Sequence, residues 1–422
     1  MGKPTIRFEG YTDDWEQRKL GNVLLSLQNN TLSRANLSDE SGIAKNVHYG
    51  DVLIKFGEVL DVRKEKLPMI TDENVLSKYK ASFLQNGDVI VADTAEDSTV
   101  GKCSEIAGLN DEVVLSGLHT IPYRPIEKFA SGYLGYYLNS GAYHNQLIPL
   151  MQGIKVTSIS KSAMQDTDID YPKSQEEQGK IGAYFKFLDE MITLHHRKCE
   201  ETKKLKKFML QKMFPKKGEK VPDIRFDGFT DDWEQRKLGE VCEIKDSARI
   251  PNSEWSETGV PYIRASDVTN ENTDGVLFIS QERYEFYKNR TGVPTKDDVL
   301  FNGGGEIGKS LLITDKKPIY VQGGAVLYAR TSKSRELVGQ YLKTYFETTN
   351  AKSYVDTASA GGTMRHFTLK PSQMMRILMP SVEEQEKIGE YFANLDHLIT
   401  LHQHKCEELQ NIKKFMLQNM FT

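Results

Sequence analysis

The chain has 422 residues, 38% hydrophobic and 27% charged. With no run of about 18 apolar residues, this predicts a globular protein of two to four domains without a membrane span. The formal net charge of −4 at pH 7 argues against a protein that binds nucleic acid by charge alone, because such proteins are usually basic. The four cysteines have no C-x-x-C spacing and the first residues, MGKPTIRFEG, have no apolar signal core, so we expect a reducing, cytoplasmic location.

The sequence contains one frame twice. Residues 4–23 (PTIRFEGYTDDWEQRKLGNV) and 222–241 (PDIRFDGFTDDWEQRKLGEV) differ at only four positions. A second matching pair, 176–214 and 383–421, follows at an offset of 207. The segments between these copies are hardly alike, although Gly101-Lys102 aligns with Gly308-Lys309. We interpret the chain as a tandem duplication in which a fixed frame holds two different inserts.

The first copy begins with an opening motif at 1–23, followed by a variable domain at 24–170. Short β-branched runs predict strands at 51–56 (DVLIKF) and 88–93 (DVIVAD), and YLGYYLNSG at 133–141 predicts a helix.

A long spacer helix is predicted at 171–215, ending at Pro215. Seam residues recur at alternating steps of four and three, as in a coiled coil. In the first copy they are Ile181, Phe185, Leu188, Ile192, His195, Cys199 and Thr202, and in the second Ile388, Phe392, Leu395, Ile399, His402, Cys406 and Leu409.

The second copy comprises a linker and opening motif at 216–241, a variable domain at 242–378 and a second spacer helix at 379–422. Strands are predicted at 260–266, 298–302 and 318–324, and helix at 337–351. Because the linker is short and the helix is repeated, we expect the helices to run antiparallel. The predicted fold class is α+β: two mixed α/β domains separated by two long antiparallel coiled-coil helices, with a pseudo-two-fold internal repeat.

The stretch FNGGGEIGKS at 301–310 matches both the phosphate-loop and the dinucleotide-turn patterns. A phosphate loop needs a helix after its Lys-Ser, but SLLITDKKPIYV contains β-branched residues, a turn and a proline. The first copy retains Gly101-Lys102 without the preceding glycines. We therefore predict a turn between strands, and a nucleotide-binding enzyme is a distant alternative.

Three further patterns each allow a functional and a structural interpretation. The pairs His195/Cys199 and His402/Cys406 would supply a tetrahedral zinc set if they converged, but a polar seam that fixes register is favoured. The lysines between 203 and 217 fit a solvated helix end better than a phosphate-binding run. Trp15 and Trp233 are interpreted as packing residues of the duplicated motif. No pattern predicts a catalytic, cofactor-binding or metal-binding site, so we expect a non-enzymatic chain.

The opening motif RFxGFTDDWEQRKLGEV, the GGTMRHFTLKP run at 361–371 and the helix PSVEEQEKIGEYFANLDHLITLHQHKCEEL resemble the specificity subunit of bacterial type I restriction–modification enzymes. The resemblance covers essentially the whole chain. It implies that each variable domain is a target-recognition domain for one half of a split double-stranded DNA site, and that the helices set the spacing. It also implies two modification subunits that carry S-adenosylmethionine and methylate adenine, and restriction subunits that use ATP and Mg²⁺. No cofactor is expected on this chain.

Base-reading side chains are usually Arg, Lys, Asn, Gln or Ser on loops. The predicted DNA contacts are Lys55, Arg63, Lys102 and Lys155 in the first domain, and Arg249, Arg264, Ser266, Lys309, Arg365 and His366 in the second. Residues 24–170 contain 13 Lys and Arg against 19 Asp and Glu, whereas residues 242–378 contain 18 against 16. We therefore expect weak DNA binding by the isolated chain. The remaining alternative is a two-headed coiled-coil scaffold that does not bind DNA.

Overall fold

The computed structural model describes residues 3–359 and 365–421. The chain divides into two compact units, one comprising Met1–His196 and His404–Thr422 and the other Arg197–Gln403. Both boundaries fall within the long helices, so each unit contains the first part of one helix and the second part of the other. Within the described ranges, none of the helices combines the length and apolar character that a membrane span requires.

The first unit is built on a five-stranded sheet in the order β2-β10-β6-β8-β4, beside a three-stranded sheet β5-β3-β9. Its strands are β1 (Glu16–Lys19), β2 (Leu24–Ser26), β3 (Ala44–Val47), β4 (Val59–Asp61), β5 (Met69–Ile70), β6 (Val89–Ala92), β7 (Thr94–Ala95), β8 (Cys103–Ala107), β9 (Val114–Ser116), β10 (Thr120–Pro125), β11 (Thr157–Ser158) and β12 (Asp168–Tyr171). Its helices are α1 (Leu20–Val23), α2 (Tyr49–Ile54), α3 (Glu73–Tyr79), α4 (Tyr133–Asn139), α5 (Gly141–Leu147), α6 (Lys161–Gln165) and the beginning of α7 (Gln175–Lys212).

The second unit repeats this plan with two four-stranded sheets, β14-β21-β18-β19 and β15-β17-β16-β20. Its strands are β13 (Glu234–Lys237), β14 (Ile244–Asp246), β15 (Trp255–Ser256), β16 (Val260–Ile263), β17 (Phe278–Ile279), β18 (Val299–Asn302), β19 (Ser310–Leu312), β20 (Tyr320–Val321), β21 (Val326–Ala329) and β22 (Arg376–Met379). Its helices are α8 (Leu238–Val241), α9 (Ala265–Thr269), α10 (Gln281–Thr291), α11 (Gly339–Phe346), α12 (Thr349–Ala358), α13 (Leu369–Met374), the end of α7 and the beginning of α14 (Val382–Asn419).

Central strands β6 and β18 occupy the same place in the two units. All four residues of each strand are buried, which explains why neither sequence alternates with exposed polar residues: β6 is VIVA, and β18 is VLFN, whose Asn302 is buried with the others. In both units a parallel pair, β3 with β9 and β16 with β20, leads directly into a short helix, α2 or α9. The two variable segments therefore share a topology although their sequences have diverged.

The opening motif packs onto the start of a long helix in each unit. Trp15 is 2% exposed and lies against Tyr133, and Trp233, 1% exposed, lies against Tyr341. The interpretation of both tryptophans as packing residues is confirmed. One further contact fixes the motif in the first unit: the Arg7 guanidinium forms two hydrogen bonds, of 2.7 and 2.9 Å, with the carboxylate of a glutamate on α7.

The equivalent ion pair of the second unit joins Arg225 to Glu384 on α14, with hydrogen bonds of 2.7 and 2.8 Å. Glu384 and its counterpart Glu177 are each 1% exposed. A buried charge is tolerated only when it is paired, and two-point Arg–carboxylate bonding also fixes orientation. The duplicated sequence thus repeats the same docking contact in both units.

The long helices run antiparallel within each unit, as predicted. In the first unit, ring stacking joins Phe185 to Phe421 and an ion pair of 2.6 Å joins Asp189 to Lys413, so sequence number rises on one helix as it falls on the other. In the second unit, Lys206 pairs with Asp396 at 2.5 Å. The two ion pairs are related by the 207-residue offset, which explains why the second copy retains a lysine at this position.

Two predicted elements differ from the structure. The run DVLIKF at 51–56 is not a strand, because helix α2 covers Tyr49–Ile54. Within α2 only Val52 is buried, His48 caps the first turn by accepting the Gly50 N–H, and Asp51 lies in that turn, where the helix dipole favours a negative charge. The helix predicted at 337–351 is divided into α11 and α12, because Thr348 caps a new helix by accepting the Ala351 N–H.

Candidate nucleic-acid interface

The glycine-rich segment FNGGGEIGKS is a turn between two antiparallel strands. Phe301 in β18 pairs with Ser310 in β19. The Gly308 N–H donates to the Asn302 carbonyl at 2.9 Å, and the Asn302 N–H donates to the Lys309 carbonyl at 2.8 Å. Because a strand and not a helix begins at Ser310, no helix N-terminus is available there to bind a phosphate. The prediction of a strand–strand turn is confirmed.

Three other segments of the second unit meet this turn. The Phe367 N–H donates to the Gly303 carbonyl at 2.8 Å, and the Gly303 N–H donates to the Ala325 carbonyl at 2.9 Å. The buried side-chain amide of Asn302 donates to the Ala265 carbonyl in the first turn of α9 at 2.9 Å. A Cβ on Gly303 would lie 2.7 Å from the Phe367 oxygen, so glycine permits this close approach.

Five of the six contact residues predicted in the second domain lie on these converging segments. Arg264 is the N-terminal cap of α9, and Ser266 lies in its first turn. Lys309 is at the end of the glycine turn. Arg365 and His366 directly precede Phe367, whose N–H donates to the Gly303 carbonyl. We call this set, together with residues 303–308, the glycine-turn surface. The run GGTMRHFTLKP contributes its last seven residues, and its first four, 361–364, lie outside the described residues.

Each side chain of the glycine-turn surface is held differently. The Arg264 Nε lies 3.2 Å from Asp267, whose carboxylate also accepts the Arg264 N–H at 2.9 Å. Lys309 is exposed and 4.0 Å from Glu306. His366 lies beside the turn, since a Cβ on Gly304 would be 3.4 Å from its Nδ1. These positions leave polar groups accessible on one edge of the unit.

Two predicted residues remain: Arg365, a member of this surface, and Arg249, which lies outside it. The Arg365 guanidinium contacts the backbone carbonyl of Asp356 at the end of α12. Arg249 is exposed on a neighbouring loop. This loop is close to the glycine turn, because its residue Ser247 packs against Gly323 and Gly323 lies two residues before Ala325, whose carbonyl accepts the Gly303 N–H. All six predicted positions of the second domain therefore lie at or next to one edge, Ser266 in the first turn of α9 and the other five outside the helices.

The first unit contains the same backbone turn, but its lysine points elsewhere. The Gly101 N–H donates to the Ala92 carbonyl and the Ala92 N–H to the Lys102 carbonyl, both at 2.9 Å, as at Gly308 and Lys309. The predicted alignment of the two Gly-Lys pairs is thus confirmed. The Lys102 Nζ donates to the Leu53 carbonyl at 2.8 Å, and burial lowers the pKa of this lysine. Lys102 therefore caps the last turn of α2.

The other three residues predicted in the first domain do not gather at this turn. Lys55 is the C-terminal cap of α2, and its Nζ donates to the Lys66 carbonyl at 2.5 Å. Arg63 follows β4 and pairs with Asp61 at 3.3 Å. Lys155 is exposed in the segment before β11. The edge that matches the glycine-turn surface lies instead at the N-terminal end of α2, where the sequence predicts no DNA contact.

The residues found at that edge are His48, Tyr49 and His119, none of which was predicted. Residues 153–169 align with 361–377 at an offset of 208, which places 157–158 opposite Arg365 and His366 but does not point to the three ring residues. The structure confirms this alignment, because Ile169 pairs with Arg18 as Ile377 pairs with Arg236 in the repeated strand pair.

The histidines and cysteines of the long helices do not form a recognisable metal centre. Among residues 3–359 and 365–421, no group of three or more His, Cys, Asp or Glu side chains has the arrangement of a metal site. In the second unit the Cys199 Sγ lies 3.9 Å from the Ile399 carbonyl, and in the first unit the Cys406 Sγ lies 3.6 Å from the Ile192 carbonyl. Both thiols contact backbone oxygens within the helix seam.

Comparisons with known proteins give a consistent family. The model of the type I restriction modification DNA specificity domain matches residues 12–204 and 230–411. A relative from Methanocaldococcus jannaschii, "Putative type I restriction enzyme MjaX specificity subunit", is 24% identical over 430 residues, covering 97% of this chain and 93% of the relative. Another, the type I restriction enzyme MjaVIII specificity subunit of the same organism, is 25% identical over 288 residues, covering 64% of this chain and 65% of the relative.

The fold also matches a solved structure. The crystal structure of a type I restriction–modification system S subunit from M. genitalium superposes with a TM-score of 0.62 at 15% identity, over 100% of this chain and 99% of that one. The two family-model matches cover most of the chain, once in each copy of the frame, and the chain therefore belongs to the type I restriction–modification DNA specificity family.

Proposed function

We propose that this chain is the DNA-recognition subunit of a type I restriction–modification complex, in which each unit reads one half of a bipartite, asymmetric site. One observation supports this function above the others. The opening motif and the long helix are nearly identical in the two units, whereas the exposed side chains at the matching edges of the two variable domains differ, although both edges have the same backbone turn. Direct readout needs side chains that differ where the base sequence differs. Two unlike readers predict an asymmetric target, whose half-site separation follows from protein geometry.

The partners we propose are two modification subunits, one for each copy of the frame. Asp13 and Asp14, and their counterparts Asp231 and Asp232, are exposed, yet they are identical in the two copies. Exposed residues that are identical in the two copies, next to variable domains that differ, support a surface that each of two copies of the same partner contacts. Restriction subunits would join the same assembly.

The chemistry is assigned to those partners. S-adenosylmethionine would be bound by the modification subunits, and ATP with Mg²⁺ by the restriction subunits. This chain would act as a non-catalytic subunit that selects the site. Its own polar edge supplies hydrogen-bond donors and acceptors for base edges, which is the role such side chains perform in DNA recognition.

The test is methylation mapping. The chain and its modification subunit are expressed together in a host that lacks DNA methylation, and methylated adenines are mapped genome-wide. We expect a split motif only when both proteins are present, and replacement of residues 242–378 by another target-recognition domain should change one half of it. Absence of new methylation from a complex shown to assemble would instead support the two-headed scaffold.

A further inference from the structure

An edge of the first unit corresponds to the glycine-turn surface through its backbone hydrogen bonds. The Asp93 N–H donates to the His119 carbonyl at 3.1 Å, and the Asp93 carbonyl accepts the Ile159 N–H at 2.9 Å. Gly303 makes the same two bonds with its neighbours in the second unit. These bonds place His119 at the position that Ala325 occupies in the second unit.

The parallel strand pair extends this correspondence to helix α2. Val47 pairs with Ser116, and Ile263 pairs with Val321, at the ends of the matching strands β3 and β16. The next residue is the N-terminal cap of the following helix in both units, His48 for α2 and Arg264 for α9. His48 therefore occupies the position of an arginine already predicted to contact DNA.

Three rings form a continuous surface at this edge. The His48 and Tyr49 ring centroids are 4.7 Å apart, and those of Tyr49 and His119 are 5.2 Å apart with an interplanar angle of 76°. The His119 side chain is 47% exposed, and the other two rings are partly exposed. We call His48, Tyr49 and His119 the histidine surface. It lies where the second unit has Arg264, Ala265 and Ala325.

Local contacts fix the hydrogen-bonding character of the first ring. The His48 Nδ1 accepts the Gly50 N–H at 3.2 Å, as an N-terminal cap. Burial lowers the pKa of His48, with Asp51 opposing, so the neutral ring dominates and its proton lies on Nε2. His48 therefore offers one N–H donor of fixed orientation, as a base acceptor requires.

The third ring adds a different polar pattern. The His119 Nδ1 lies 3.4 Å from both the Asp93 carboxylate and the Thr94 hydroxyl. Carboxylate and hydroxyl oxygens accept from the amino groups of bases, and aromatic rings contact the thymine methyl group. None of the three residues is a lysine or an arginine, although Arg34 lies close enough to His48 for its charge to lower the pKa of that ring.

We infer that the histidine surface reads the half-site of the first unit, and that His48 and Arg264 occupy the same specificity-determining position in the two units. This inference rests on the proposed function. It assigns readout in the first domain to three residues around the N-terminus of α2, and not to the lysines around its C-terminal end.

Two substitutions test the inference in the complex of the full chain with its modification subunit. His48→Asn keeps a good N-cap acceptor but removes the ring donor, and His119→Asn suits the backbone there, whose φ is +55°. We expect each variant to relax base preference roughly 5- to 150-fold at one position of the first unit's half-site, leaving the other half unchanged. Arg264→Ala should relax only the opposite half.

The half belonging to the first unit is identified as the one that survives replacement of residues 242–378. Asp72→Asn, another N-cap substitution in the first unit and away from this edge, is the matched control and should leave both halves unchanged. An unchanged motif in both histidine variants, with melting temperatures equal to wild type, would overturn the inference. A wild-type complex that assembles but methylates no split motif would instead count against the proposed function.

Discussion

Glu105 is a buried carboxylate of the first unit, and its burial disfavours the ionised form. It is 1% exposed and accepts the N–H groups of Gly132 and Gly135, at 2.6 and 3.1 Å, at the start of α4. Burial raises the pKa of Glu105 to about 7, against an ordinary value of 4.5, because desolvation outweighs these two bonds. At the equivalent place in the second unit the chain has Leu312, so this titration belongs to the first unit alone.

The raised pKa predicts a pH-dependent stability. Because the folded pKa exceeds the unfolded pKa, the contribution of Glu105 is complete below about pH 4.5 and is lost as pH rises through 7. The loss amounts to roughly 3 kcal/mol for a shift of this size. Glu105→Gln should therefore gain stability relative to wild type by about that amount between pH 4.5 and 8, as measured by urea unfolding. Parallel pH profiles of the two proteins would contradict this assignment.

At the scale of single residues, the contacts predicted in the second unit gather at one edge, whereas those predicted in the first unit do not. Arg365 and His366 belong to the family-like run 361–371 and Arg264 caps α9, and base contact by these three residues stays a prediction. Lys102 is predicted as a basic loop residue that aligns with Lys309, but its ammonium caps the last turn of α2. His48 was missed because its position depends on a strand pairing that residue type does not encode.

At the scale of elements, the long helices were the most predictable part of the chain. Their seam of apolar residues has a period that only a helix satisfies, and Ile181, Phe185 and Leu188 are buried as expected. Helix α2 was predicted as a strand because DVLIKF is rich in β-branched residues. The cap at His48 and the burial of Val52 and Phe56 outweigh that propensity, since tertiary context decides short apolar runs.

One lysine near the end of α14 contacts two carboxylates of the first unit. Lys413 lies 2.6 Å from Asp189 and 2.9 Å from Glu58, and its Nζ is 5.4 Å from the centroid of the Tyr136 ring. Burial lowers the pKa of Lys413, but the charges of Glu58 and Asp189 outweigh burial and raise it overall. The single positive charge of the lysine therefore lies between two carboxylates that would otherwise repel each other.

Removing this lysine should destabilise the first unit more than removing its neighbour. Lys413→Met removes the ammonium partner of two partly buried carboxylates, of which Asp189 keeps the hydrogen bond from the Tyr136 hydroxyl, and we expect the free energy of unfolding to fall by about 1–3 kcal/mol. Lys414→Met is the matched control, because Lys414 is exposed and its loss should change stability by less than about 0.5 kcal/mol. Chemical denaturation of both variants measures the difference. Equal losses would show that the Lys413 ion pairs contribute no net stability.

At the scale of the whole molecule, duplication was evident from the sequence and the family membership confirms its interpretation. The contact residues were harder to predict because the inserts share a topology without sharing a sequence. Asp93 and Gly303 make the same hydrogen bonds, yet neither their side chains nor those of the neighbouring His119 and Ala325 are alike. Backbone geometry is repeated, and the chemistry displayed on it is not.

The charge distribution leads to a last prediction about DNA affinity. Affinity for duplex DNA depends mainly on how many phosphates are neutralised, and each contributes about −0.9 to the slope of log K against log salt. The first variable domain has 13 basic against 19 acidic residues, and its histidine surface contains no lysine or arginine. We therefore expect the purified chain alone to bind its target no more tightly than about 1 μM at physiological salt, with a shallow salt slope.

The complex with the modification subunit should bind the same DNA more tightly and with a steeper salt slope, because the partner would supply most phosphate contacts. Titration of a labelled duplex at several salt concentrations, with a scrambled duplex as control, measures both quantities. Tight, sequence-specific binding by the chain alone would contradict this division of roles. Phosphate contacts release counterions and therefore steepen the slope of log K against log salt. A complex with higher affinity but an unchanged slope would mean that the modification subunit adds no phosphate contacts and instead orders the DNA-contacting edges of this chain.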